Sequence, residues 1–212
     1  MASASSTFDD PAENPLSESS VWDVGPGSWD VVRKGVTSGE VEAAATGSCA
    51  ASYKSSVTAF NSNQESEVTV SFQAWAAQVV RGGPVVRMQG TGANQGDCYG
   101  FFGDDAVPNI RLYRIDDAAG SLTYTQLGSS VAETLVATDT LKVSADGSTI
   151  KGYRNGTEKI SQTDSTYTGG QPGFVIQEGS YPSAGLRFTA WQAADLTAAT
   201  AKVQRFMMLG VS

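Results

Sequence analysis

The stretch 141–174, LKVSADGSTIKGYRNGTEKISQTDSTYTGGQPGF, constrains the fold more than any other part of the chain. It alternates β-favouring runs with Asp146-Gly147, Asn155-Gly156 and a Gly/Pro-rich turn at 169–173. Asp-Gly and Asn-Gly supply the positive φ angles that two-residue hairpins need, because glycine has no Cβ and Asn and Asp tolerate left-handed backbone. The pattern predicts an antiparallel meander of three strands, then a turn into a fourth.

The same grammar extends outward. In 66–75, Val68, Val70, Phe72 and Ala74 alternate with Glu67, Thr69, Ser71 and Gln73, the period of two of a half-buried strand. Gly/Pro/Asn clusters at 82–84 and 90–96 precede the runs PVVRMQG and CYGFFG, and 109–116 pairs naturally with 122–128. In 21–32, VWDVGPGSWDVV, two tryptophans flank a Gly-Pro-Gly turn, which predicts a hairpin closing one end. Residues 131–136 read as a loop before a strand from Thr140, and helical periodicity is weak everywhere. Strands recurring about every ten residues between Gly and Pro predict a sandwich or barrel. The fold class is therefore all-β, a sandwich of two antiparallel sheets. Residues 1–20 form an extended N-terminal arm or lead-in strand, and 21–212 a single domain with an extra C-terminal strand near 199–209. Trp22, Trp29, Phe72, Trp75 and Phe174 are expected in its core.

Composition narrows the chemistry. Twenty-two acidic residues against 14 basic give a net charge of −8, and the chain has no histidine. Nucleic acid is disfavoured as a partner, because phosphate binding needs clustered Lys and Arg. Absence of histidine removes Ser-His-Asp and Cys-His catalysis, His-ligated zinc and imidazole proton shuttling. No apolar run reaches the roughly 18–20 residues of a membrane span, so membrane insertion is not expected. The N-terminus has neither the basic nor the apolar region of a secretory signal. Cys49 and Cys98 are expected as buried thiols in neighbouring strands rather than a disulfide.

Thr7-Phe8-Asp9-Asp10, Trp22 and Gly27-Ser28-Trp29 with Val31-Val32 stand first in an ordered series of motifs. Cys98 to Phe102, Ile110 to Arg114 and Thr125 to Gly128 follow, then 139–143, 150–156, 164–167 and 170–174. In order and spacing, over roughly Thr7 to Leu196, these resemble the concanavalin A-like jelly-roll superfamily in its laminin-G-like branch. The 197–212 segment departs from the usual ending of such modules. The resemblance implies a jelly-roll of the kind appended to phage tail and capsid proteins and to bacterial surface and sugar-binding proteins. The expected function is a non-enzymatic virion structural protein, a capsid decoration or tail-associated part that presents a lectin-like sandwich to host glycans. The alternative is a free secreted or surface carbohydrate-binding lectin module. Expected partners are virion proteins or glycans, with the chain as a homo-oligomer or an array on a particle. Its location is then the virion, assembled in host cytoplasm, or alternatively extracellular.

Candidate chemistry is sparse. Glycosidases need two carboxyls flanking the scissile bond. The acid pairs Glu40/Glu42 and Glu65/Glu67 lack the third acid of glycosidases in this superfamily, so no catalytic residue is expected. Calcium needs converging oxygen ligands, and Asp104 and Asp105 with Asn109 are its candidates, although paired Asp residues are also ordinary turn formers; no other cofactor is expected. Sugar recognition needs an aromatic plate with amide partners; Tyr99 and Trp191 with Asn94 and Gln95 are the first choice, and Tyr113, Tyr153, Tyr181, Asn155 and Gln177 the wider set. Phe206, Met207 and Met208 are either a last core strand or a contact with a neighbouring subunit. Asn155-Gly156-Thr157 matches a glycosylation acceptor, but its Asn-Gly pair already has a duty as a turn.

Overall fold

The computed structural model describes residues 1–9, 11–27, 29–30, 32–34, 39–44, 46–72, 81–90, 95–104, 108–118, 121–178 and 185–197. Among these the chain forms β1 (Ser3–Ser6), β2 (Trp22–Val24), β3 (Val32–Lys34), β4 (Val41–Ala43), β5 (Gly47–Tyr53), β6 (Gln64–Phe72), β7 (Arg81–Met88) and β8 (Cys98–Asp104). There follow β9 (Asn109–Ala118), β10 (Ser121–Val131), β11 (Thr140–Asp146), β12 (Thr149–Arg154), β13 (Thr157–Thr163), β14 (Gln171–Glu178) and β15 (Leu186–Asp195). The first sheet runs β13-β12-β11-β6-β15-β4-β3, with β1 added on β15; the second runs β10-β9-β8-β7-β14-β5-β2. Every strand ladder is antiparallel.

The meander forms as its turn chemistry dictates. Gly147 has φ 55°, and Asn155 and Gly156 have φ 49° and 74°, the left-handed pair of a two-residue hairpin turn. Strands β11, β12 and β13 pair in sequence across these turns. In β6 the alternation sends Ser66, Val68 and Val70 inward and leaves Glu65, Glu67, Thr69 and Ser71 half-exposed.

Between the sheets lies an aromatic core. Trp191 stacks on Tyr53 at 5.4 Å and meets Trp22 edge-on at 4.7 Å, while Phe174 bridges Phe8, Trp22 and Phe188. Burying a side chain of this size contributes about 1.5–3 kcal/mol. The indole of Trp191 donates to Ser66 Oγ at 3.0 Å, and that hydroxyl donates to Gly173 O at 2.8 Å. One polar thread thus crosses from the first sheet to the second inside the apolar layer.

Two expectations are corrected. The 21–32 segment is not a hairpin: β2 is an edge of the second sheet and β3 an edge of the first. After its Gly-Pro-Gly turn Asp30 still bridges Cys49 in β5, so the chain changes layers only between Asp30 and β3. Cys49 and Cys98 are buried and form no disulfide, but β14 and β7 separate their strands. Cys49 faces the inter-sheet core, whereas Cys98 belongs to a second apolar cluster on the opposite face. In the lead segment β1 pairs with β15, and Phe8 and Leu16 are buried in the core. The expected strand near 199–209, with Phe206, Met207 and Met208, lies outside the described residues.

Candidate functional site

The structure places Tyr99 and Trp191 in the interior, at 0% and 1% exposure, which corrects the expectation that they form a sugar platform. A pyranose cannot stack on a ring whose faces are occupied by other rings. The Tyr99 hydroxyl donates to Asp164 Oδ1 at 2.6 Å and accepts from Tyr167 N at 3.0 Å. Burial pushes the Tyr99 phenol up to about 12. Gln95 is half-buried in a turn before β8; Asn94 lies outside the described residues. Asn109 pairs in register with Asp104 where β8 turns into β9. Asp105 and the Asp104 side chain lie outside the described residues.

What the fold brings together is a different set, on the outer face of the second sheet. The hydroxyl of Tyr124 in β10 donates to Ser48 Oγ in β5 at 3.1 Å. Five inter-strand steps separate those strands in the sheet order; in a flat sheet that is about 24 Å. The sheet therefore curls hard, and this face is concave. Its floor is apolar, built from Ala50, Val85, Met88, Cys98, Phe102, Ile115 and Val175. Gly100 shapes that floor, because a Cβ there would fall 2.5 Å from the Phe102 ring.

Above the floor stands a polar and aromatic group. The Arg81 guanidinium lies 3.9 Å from the Tyr124 ring centroid and 5.7 Å from that of Tyr113. Its Nε donates to Gln177 Oε1. Tyr113 meets Tyr124 edge-on at 5.8 Å, and Arg111 Nη1 donates to the Tyr113 hydroxyl at 3.4 Å. Tyr113 is buried, whereas Arg81, Arg111, Tyr124, Gln177 and Ser48 are half-buried. Burial pushes the Tyr124 phenol up to about 12, so it stays neutral and hydrogen-bonding at physiological pH.

Local sequence explains how Trp29 closes one side. Gly27 has φ 64°, and a Cβ on it would fall 2.2 Å from both Gln95 O and Asp117 Oδ2. Glycine alone lets this turn tuck against the next loop. The Trp29 indole then donates to Gly96 O at 3.1 Å and meets Tyr124 edge-on at 6.3 Å. Tyr113 and Gln177 were legible as wider candidates. Arg81, Tyr124, Trp29 and Ser48 were not; the signal available was their position among β-favouring runs, which says nothing of which rings share a face.

The acid pairs sit elsewhere. Glu40 and Glu42 both bind Arg187, each at 2.8 Å, and Glu42 also binds Arg33 at 2.7 Å. Glu65 pairs with Lys142 at 3.1 Å, and Glu67 accepts from Gln192 Nε2 at 2.7 Å. Grooves of about 380 and 320 Å³ run along β1, lined by serines with Glu65, Glu67 and Gln192. Their aromatic neighbour, Trp191, is buried, so they offer no stacking plate. Among the described residues no three acidic or cysteine side chains converge as a metal site would require.

No family model and no curated protein matches the sequence. Solved structures do resemble it. The carbohydrate-binding module CBM66 from Bacillus subtilis superposes with TM-score 0.57 at 15% identity, covering 82% of this chain and 94% of its own. The exoplasmic/lumenal domain of VIP36 in its Ca2+/Man2-bound form gives 0.56 at 13%, covering 92% and 88%. The carbohydrate recognition domain of Emp46p, metal-free, gives 0.53 at 11%, covering 84% and 90%. At such identities the likeness is one of fold: a concanavalin A-like β-sandwich of two antiparallel sheets.

Proposed function

We propose that the chain is a non-enzymatic carbohydrate-binding module whose sugar lies on the concave face of the second sheet. One observation carries this reading. Tyr124, Arg81, Gln177 and Ser48, all half-buried, form one linked group over an apolar floor. Aromatic area with a few convergent polar groups is what a saccharide needs, since its ring carbons pack while its hydroxyls are read one by one. The similar solved proteins support it: one is a carbohydrate-binding module, one a carbohydrate recognition domain, and one is in a mannose-bound form. The acid pairs support the non-enzymatic part, because their carboxylates are engaged by Arg187, Arg33, Lys142 and Gln192 on the other sheet.

The test is a glycan array read with the natural chain and with Tyr124→Ala, each checked by thermal melting. Retention that falls at least tenfold in a folded variant is the expected result. Unchanged retention removes the concave face as the site.

The finer reading is carriage on a virus particle, favoured by the ordered motifs from Thr7 to Leu196. Mass spectrometry of purified particles tests it, and absence of the chain from them removes it. Calcium at the Asp104–Asn109 turn is likewise a proposal. A thermal shift with calcium that chelator reverses, and that Asn109→Ala abolishes, is its signature.

A further inference from the structure

The arginines of this acidic chain are mostly neutralised internally. Arg33 meets Glu42 at 2.7 Å, Arg114 meets Asp116 and Asp164 at 3.2 Å, Arg154 meets Asp139 at 2.7 Å, and Arg187 meets Glu40 and Glu42 at 2.8 Å. Arg87 is buried and donates to the carbonyls of Ser62, Tyr167 and Gly147. Arg81 differs. Among the described residues it meets no carboxylate; its partners are the neutral Gln177 amide and the Tyr124 and Tyr113 rings.

Those partners orient the guanidinium without cancelling its charge. The amide oxygen holds Nε, the Tyr124 ring lies against the guanidinium plane's carbon, and both remain uncharged. Nη1 and Nη2 are left as the donors that no described side chain engages. A planar two-nitrogen fork held in a half-desolvated, concave setting matches a carboxylate bidentately, and ion pairs are stronger there than on open surface. Arg111 lies on the same face through its bond to Tyr113.

We infer that the saccharide taken by this face is an acidic one, a uronate-bearing glycan whose carboxylate is received by the Nη nitrogens of Arg81. This rests on the reading of the concave face as the sugar site. It names the ligand class for that site.

The experiment titrates the natural chain by calorimetry with a short oligogalacturonide, with the same oligomer fully methyl-esterified, and with neutral gluco- and manno-oligosaccharides. The acid should bind at least tenfold more tightly than its ester, with affinity falling as salt is raised. Arg81→Lys keeps the charge but loses the fork, so it should lose at least tenfold for the acid and markedly less for the ester. Equal binding of acid and ester, preference for a neutral oligomer, or full acid affinity in Arg81→Lys overturns the acidic-ligand inference while leaving a glycan-binding face. Binding to none of the probes overturns the acidic class, and a blank glycan array beside it overturns the face as well. Should Arg81→Lys fail to fold, the acid–ester comparison on the natural chain decides alone.

Discussion

The guanidinium carbon of Arg81 lies 3.9 Å from the centre of the Tyr124 ring. The two residues come from β7 and β10, with β8 and β9 between them in the sheet, so the contact exists because the sheet curls. A cation against a phenol ring is worth about 0.5–1 kcal/mol when exposed and about 2 when desolvated. Here it holds a charged group in a fixed orientation over an apolar floor.

A double-mutant cycle should detect that coupling. Arg81→Gln and Tyr124→Leu, alone and together, are compared by urea denaturation. We expect a coupling energy of about 1 kcal/mol. Additive effects would show the contact to be incidental.

Arg87 is 1% exposed, and it donates to carbonyls in three separate loops, Ser62, Gly147 and Tyr167. Arg87→Leu would leave the buried Tyr167 carbonyl unmet, a loss that costs about 1–3 kcal/mol, while Ser62 and Gly147 lie at exposed positions open to water. Chemical denaturation should register a loss of about 1–3 kcal/mol. A loss below about 1 kcal/mol would mean water replaces the guanidinium at little cost.

Asp97 is buried, its Oδ1 accepts from Asp117 N, and burial, reinforced by Asp116 and Asp117, raises its carboxyl above the ordinary value. A raised folded-state value stabilises the fold below the ordinary carboxylate range, near 3.9, and that contribution is lost as pH rises through the raised value. Asp97→Asn keeps an acceptor for the Asp117 amide and removes the charge. Its melting temperature should exceed the natural chain's at pH 7, with the gap closing toward pH 4. A variant less stable at pH 7 contradicts this account.

Asp195, at the end of β15, accepts from Ala2 N at 2.7 Å, from Asn61 N at 2.7 Å and from Asn61 Nδ2 at 2.9 Å. It therefore ties β1 and the loop before β6 to one carboxylate. Asp195→Ala should speed amide exchange in 3–6 severalfold while β11 to β13 stay protected. Unchanged exchange would assign the hold on β1 to its backbone ladder with β15 alone.

Much of the fold was legible because it depends on neighbours in sequence. The Asp146-Gly147 and Asn155-Gly156 turns choose their own backbone angles, and the alternation in Ser66 to Val70 sorts side chains to two faces whatever lies opposite. The misreadings share one cause. Trp22 and Trp29 looked like two arms of one hairpin, yet β2 and Asp30 both pair with β5, and the chain then leaves for the other sheet. Tyr99 and Trp191 looked like any exposed aromatic, since nothing local reports which rings stack behind them.

By itself, the order of residues determined an all-β chain, its meander, and a chemistry without histidine. Turn angles, side-chain alternation and composition are local quantities, and folding does not alter them. Only the tertiary structure decided which aromatics became core and which came to the concave face of the second sheet. Curling of the second sheet brings Tyr124, Arg81 and Ser48 within reach across several strands. Such pairing depends on sheet order and curvature, which are set by burial over the whole domain.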